Sequence, residues 1–241
     1  MTSTPSPALA PTIAVLGAGR LGTVLAGALR AAGFTVHGPL GRDAEFSTVD
    51  LAILCVPDAA ISDAAATARP QAHRLAHVSG ATGLGGVDLS IHPLQTFTGG
   101  EPPEVFAGIG AAVDGRTDAD LALATEIATT LGMHPFRVDD THRASYHAAA
   151  SFASNFVLTV LDAAEELANE AGVERAHLVP LVRQTVENWA ASGAAAVLTG
   201  PIARGDEATV ARQRAASGHL GDLFDALAAA TRDLAGRKDD A

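Results

Sequence analysis

The sequence predicts an α/β fold, a Rossmann-like parallel sheet domain (11–139) followed by an all-helical C-terminal domain (140–237). Three observations carry this. Apolar runs alternate with helical patterns up to about Asp139, a glycine turn joins the first such pair, and beyond Thr141 strands give way to alanine-rich helices.

The first run, Ile13 to Leu16, reads as a buried strand, and Leu21, Val24, Leu25 and Leu29 then recur at helical spacing. Between them Gly17, Gly19 and Gly22 fill G-x-G-x-x-G. In such a turn the first glycine permits the bend and the second leaves the backbone bare for a pyrophosphate. The third lets the helix sit close on the strand, so that free N–H groups face the anion. Gly17, Gly19, Arg20, Leu21 and Gly22 are therefore candidate cofactor contacts. The alternative is a Rossmann turn kept for packing alone.

Gly33 ends that helix, and Phe34 to His37 makes a short second strand. NAD-binding units carry an Asp or Glu at this strand end, about 20 residues past the first glycine. Here it is missing, while Arg42 follows the strand and Arg20 lies in the glycine turn. A guanidinium suits a ribose 2′-phosphate, which favours NADP over NAD. A solvated loop charge is the competing reading of Arg42.

Asp50 to Val56 is the next strand, which Pro57 must stop. Ala59–Ala68 reads as a helix, Leu75–Gly80 as a strand, and Ser90–Thr96 as a further extended piece. Ile109–Val113 and Pro135–Val138 read as strands flanking a helix from Asp118 to Leu131. Val56, Pro57, Ser79, Gly80, His92 and Gln95 all fall at carboxyl ends of strands, where such sheets bind ligands. From Thr141 to Ala171 the pattern is one long helix, ended by Gly172, and its middle is apolar nearly all round, which predicts burial on several sides. Asn155 within it must then find partners, in a neighbouring helix or loop or at the cofactor cleft. Ala176–Gly193 is another helix, Asp206 caps a short one, and Gly218–His219 opens the last, up to about Gly236. The tail from Arg237 reads as frayed.

Composition narrows the function. With 48% hydrophobic and 18% charged residues the chain is globular. A net charge of −11 argues against nucleic acid or an anionic membrane surface as a main partner. The single Cys55 permits neither a disulfide framework nor a thiolate cluster, and it reads as a small buried hydrophobe. The nine histidines lack metal-ligand spacing, so no metal site is expected. No apolar run approaches the ~20 residues of a membrane span. Met1–Pro11 lacks the regions of a signal peptide and reads as a loose tail, so the expected location is cytoplasmic. Lys238 is the sole lysine, which disfavours lysine chemistry unless the tail folds back.

Taken together, Gly17-x-Gly19-x-x-Gly22, Leu54-Cys-Val-Pro-Asp58, His77-Val-Ser-Gly80, His92-Pro-Leu-Gln-Thr-Phe97, Tyr146-His-Ala-Ala-Ala150, Ser154-Asn155 and Thr199–Asp206 resemble one family. It pairs a Rossmann-like domain with a helical C-terminal domain of unknown function, and its members are usually labelled oxidoreductases. It lies within the 6-phosphogluconate dehydrogenase-like and pyrroline-carboxylate reductase-like superfamily. The resemblance covers the chain from Thr12 onward. It implies NADP, a helical domain that forms a homodimer and an active site between the domains, with no substrate specified. Two departures stand out. The superfamily's β-hydroxyacid dehydrogenases carry a lysine four residues before an asparagine on the long helix; Asn155 matches the asparagine, but Ser151 stands in place of the lysine. Only thirteen residues (38–50) separate His37 from Leu51, enough for one connection but not for the extra helix and strand that relatives place there.

The expected activity is hydride transfer to or from a small carbonyl or imine substrate. His92 leads as proton donor because an ordinary histidine titrates near neutral pH, and Tyr146 follows. Ser79 and Asn155 would be polar anchors. A structural histidine bonded to backbone is the competing reading of His92. A non-catalytic dinucleotide-binding or nucleotide-sensing protein remains the alternative function.

Overall fold

The computed structural model describes residues 11–42 and 44–239, with Lys238 and Asp239 by backbone alone. The expected loose N-terminal tail thus falls, except for Pro11, outside the described residues, and so does the chain end at 240–241. Two compact units divide between Ser154 and Asn155.

The first unit opens with β1 (Thr12–Leu16), α1 (Arg20–Ala31), β2 (Thr35–Leu40) and β3 (Val49–Leu54). A 3-10 turn, Asp58–Ala60, leads into α2 (Ile61–Ala68), followed by β4 (Ala72–His77), β5 (Leu89–Pro93) and β6 (Gly110–Gly115). Then come α3 (Asp118–Thr130), β7 (His134–Phe136) and α4 (Arg143–Ala153). The seven strands form one sheet in the order β2-β1-β3-β4-β5-β6-β7. The first five are parallel, β6 runs antiparallel to β5, and β7 is parallel to β6. The carboxyl ends of β1 to β5 therefore share one edge. β3 shows why the sheet is central: its burial runs Val49, Leu51, Ala52, Ile53 and Leu54, a near-continuous apolar strand covered on both faces. Separate apolar clusters lie against the two faces, one including Leu25, Leu29, Phe106 and Ile127, the other Ile61, Ala65 and Val87.

Among the described residues, the short link after β2 holds no helix. Phe46 within it packs against the second cluster, covering core that a crossover helix would otherwise cover.

The second unit is helical: α5 (Asn155–Glu170), α6 (Arg175–Ser192), α7 (Ala194–Val197), α8 (Glu207–Ala216) and α9 (Gly221–Asp239). Asp206 caps α8 as expected, accepting from the Thr209 amide at 3.0 Å. Among the described residues no helix is long and apolar enough to cross a membrane.

Three expectations need correction. The single long helix is two, broken at Ser154, whose φ −128° and ψ −76° leave the helical region. Ser and Asn side chains compete with the helix by bonding nearby backbone, and this pair sits at the break. Burial on several sides also fails within the chain, since Phe152 is 69% and Leu158 66% exposed. Asn155 is itself exposed, so no buried amide has to be satisfied. Finally, the expected fraying begins too early, because α9 continues to Asp239.

Candidate functional site

The glycine turn separates into two closed positions and one open one. Gly17 has φ +117°, and a Cβ there would collide with the Cys55 carbonyl. A Cβ at Gly22 would strike the Gly17 carbonyl, so this residue sets how closely α1 approaches β1. Gly19 has an ordinary φ of −77°, and nothing lies within 4 Å of where its Cβ would stand. It is also the N-cap of α1, and no side chain caps that helix. The Arg20, Leu21 and Gly22 amides lie in the first turn, where helix geometry provides no acceptor, and carry the positive end of the helix dipole. A short loop leans on this turn. A Cβ placed on Gly99 would stand 3.4 Å from the Arg20 Cα, and Glu101 fixes the loop by accepting from the Thr98 amide and hydroxyl and from the Gly99 amide. Those bonds pull the Glu101 carboxyl down to about 2.

Beside the turn is a cavity of about 240 Å³. Its lining comes from the carboxyl ends of three neighbouring strands: Gly19 to Gly22 after β1, Cys55, Val56 and Asp58 after β3, and Val78 and Ser79 after β4. Cys55 helps form the wall, and burial pushes its thiol up to about 12, so it stays protonated. Arg20 brings positive charge and Asp58 negative charge to the same cavity. Pro57 starts the 3-10 turn that presents Asp58. Arg42 is exposed just beyond β2 and is absent from the lining.

Ser79 is held by a buried histidine. His77, 0% exposed, accepts the Ser79 amide on Nδ1 at 3.2 Å, and its Nε2 lies 3.0 Å from the Gly83 carbonyl. Those partners require a proton on Nε2 and none on Nδ1, the neutral form that burial also favours. The Ser79 hydroxyl oxygen accepts from the Ala81 and Thr82 amides, shaping the loop. Its own proton is left for another acceptor.

Next to this loop His92, at the end of β5, places Nδ1 2.6 Å from the Tyr146 hydroxyl on α4. The rings meet edge-on with centroids 5.6 Å apart, and Phe136 supports Tyr146 from another side. Gly80 makes room for the imidazole: a Cβ there would come 2.6 to 2.8 Å from three of its ring atoms. Gly80 was expected as a cofactor contact, and the structure gives it this packing role. Burial, and next the neighbouring His147, lower the His92 pKa to about 4. Burial raises that of Tyr146 to about 12. The expectation that His92 titrates near neutral pH is therefore corrected: it is neutral at pH 7, because partial burial of its ring disfavours the charged form.

The structure thus brings Gly19, Arg20, Leu21, Gly22, Val56 and Ser79 to one cavity, and His92, Tyr146 and Gly80 to one contact. Asn155 begins α5 in the second unit, its carbonyl accepting from the Thr159 hydroxyl. The sequence assigns no site role to Asp58, His77, His147 or Arg143. Asp58, His77 and His147 all stand inside the motifs that carry the family resemblance, and Asp58 lies one residue past the proline that stops its strand. Nothing local marks Arg143.

No curated protein matches the sequence significantly. Among solved structures, a Bacteroides fragilis protein provisionally described as an NADP oxidoreductase superposes with a TM-score of 0.82 at 22% identity, covering 93% of this chain and 98% of that one. A Thermotoga maritima protein gives 0.74 at 21%, covering 95% and 100%. Plasmodium falciparum pyrroline carboxylate reductase, solved with NADP bound, gives 0.59 at 10%, covering 93% and 98%. These likenesses establish the shared fold, a Rossmann-like sheet domain followed by a helical region. The model for the domain of unknown function DUF2520 matches residues 109–231, just over half of the chain, from β6 into α9. By that match the chain belongs to the DUF2520 family.

Proposed function

We propose that this protein is an NADP-dependent oxidoreductase acting on a small imine or carbonyl compound. The observation that carries the reading is the open position at Gly19: an uncapped helix N-terminus facing a cavity, with space a Cβ would fill. A diphosphate fits that cradle, because bare amides and the helix dipole favour an anion and no side chain keeps it away. Gly17 and Gly22 hold the turn, the Arg20 to Gly22 amides take the diphosphate, and Val56 and Pro57 border the rest of the dinucleotide. Arg42, exposed beyond β2, is the group for a ribose 2′-phosphate. Structural relatives described as NADP oxidoreductases or solved with NADP bound support the same cofactor. When bound, the nicotinamide supplies or accepts the hydride.

The chain's own residues orient the substrate. Neutral His92 and neutral Tyr146 hold two polar protons, of which the 2.6 Å contact uses one. The other, on His92 Nε2 or on the Tyr146 hydroxyl, is left to hydrogen-bond a substrate atom. With His92 at about 4 and Tyr146 at about 12, neither gives up a proton readily at pH 7. A protonated imine needs no proton from the protein to accept a hydride, so this pair suits imines better than ketones. Asp58 adds negative charge near His92 that favours such a cation. Ser79 is proposed as a further anchor through its free hydroxyl proton.

We also propose a homodimer formed through the helical unit. Leu158, Leu181, Val186 and Trp189 are 49 to 66% exposed there. A groove of about 720 Å³, walled by Leu158, Leu161, Leu178, Val179 and Val182, opens on the same helices, and a second copy would cover these surfaces.

Titration with NADPH and NADH, followed by cofactor emission, tests the reading. NADPH should bind the more tightly, and Arg42→Ala should weaken NADPH by about tenfold with little change for NADH, the loss of roughly one charge-assisted contact. No binding of either cofactor would refute it. Binding without turnover across imines and 2-oxo acids would favour a nucleotide-sensing protein instead.

A further inference from the structure

Among the described residues Arg143 is the one buried arginine, 5% exposed at the first position of α4. Its Nε donates to Asp140 at 2.9 Å, and its Nη2 reaches Asp114 on β6 at 3.4 Å. In the β5–β6 pair Asp114 stands opposite Ser90, and Ala112 opposite His92. Cross-strand partners share a face, as do residues two apart along a strand, so Asp114 and His92 lie on one face of the sheet. Arg143 and Tyr146, three apart on α4, share one side of that helix. Two contacts thus hold the same helix to the same sheet face, one ionic and one between hydroxyl and imidazole.

We propose that Arg143 is a positioning residue, keeping the Tyr146 hydroxyl on His92 through its hold on Asp114. The proposal rests on reading His92 and Tyr146 as the substrate-orienting pair. A buried guanidinium linked to carboxylates resists displacement, since releasing it would leave charge uncompensated. Lysine cannot replace its fork, which spans Asp140 and Asp114 together. Arg143 also acts at a distance, because its charge opposes protonation of His92 and eases ionisation of Tyr146. The other groups facing His92 are His147 and Tyr146 on α4, Asp58 after β3 and His77 on β4.

The test exploits Tyr146 being the sole tyrosine, so the full-length chain labelled with ring-13C tyrosine gives one Cζ signal. Arg143→Gln should move that signal toward its position in His92→Ala. It should also raise the His92 midpoint, read by NMR of labelled histidine, from about 4 by roughly half a unit or more. Arg143→Lys keeps the charge and should leave the midpoint near the wild-type value while still moving the tyrosine signal. If Arg143→Gln does not fold, Asp114→Asn replaces it, with the same shift of the tyrosine signal expected. An unchanged tyrosine signal in the folded variants would overturn the proposal, whatever happens to thermal stability. These signals need no cofactor; shifts as expected in a protein that binds no NADPH would instead overturn the functional reading.

Discussion

The two units use apolar residues differently. In the first, Ile13, Leu51, Leu54, Leu75 and Leu89 are fully buried, and the strands that carry them are covered on both faces. In the second, Val210 and Ala228 are among the few apolar side chains buried, while Leu158, Leu181 and Trp189 stand more than half exposed. Each exposed leucine forgoes on the order of 1.5 kcal/mol of burial available to a covered one. A sheet domain of this kind satisfies its apolar pattern within one chain. The helical unit carries a pattern that one chain leaves unsatisfied, and the proposed second copy answers it.

The largest expected effect lies in the interior of the first unit. Gly22→Ala forces a methyl group into the Gly17 carbonyl, and backbone on both sides cannot give. The cost should be roughly 3 kcal/mol or more, a large part of a typical domain's stability, read as loss of soluble protein or a fall in the denaturation midpoint. Wild-type stability in Gly22→Ala would mean that α1 does not pack on β1 as described.

In the second unit the consequence should be assembly rather than folding. Leu158→Glu with Leu181→Glu places charge on side chains each 66% exposed, so the helices should persist by circular dichroism. Light scattering should show the mass halved from dimer to monomer. Trp189, the sole tryptophan and 58% exposed in the single chain, should emit at longer wavelength in that variant. A wild-type monomer with solvent-exposed tryptophan emission would remove the contrast between the units.

A smaller effect sharpens the picture of the site. His92 has a folded pKa of about 4 against an ordinary 6.5, so the unfolded chain binds the proton more readily. Stability is then complete above pH 6.5 and declines as the pH falls toward 4, by about 2 kcal/mol after allowing for partial exposure. His92→Gln should flatten that part of the stability profile. Equal acid sensitivity in both proteins would place the titration elsewhere, with buried His77 the next group to examine.

What the sequence made legible follows from how local each feature is. The glycine turn could be read because each glycine acts on a neighbour within a few residues or on the adjacent strand. The strands could be read because apolar runs ended by Gly or Pro mark buried parallel β structure. The break at Ser154 was hidden by an apolar pattern that continues across it. The Arg143–Asp114 pair was hidden because its partners lie on different elements and become neighbours only when α4 meets β6. The pKa of His92 could not be read from residue type, because desolvation depends on Gly80 leaving room for the ring to be buried.

The central claim is that the open position at the α1 N-terminus accepts a diphosphate. Gly19→Ala tests it most directly: its φ is ordinary and its surroundings are empty, so the fold should tolerate the methyl group. The account predicts an unchanged melting temperature with NADPH affinity weakened by about tenfold or more, the equivalent of roughly 1.4 kcal/mol. Wild-type affinity in a folded Gly19→Ala protein would contradict it.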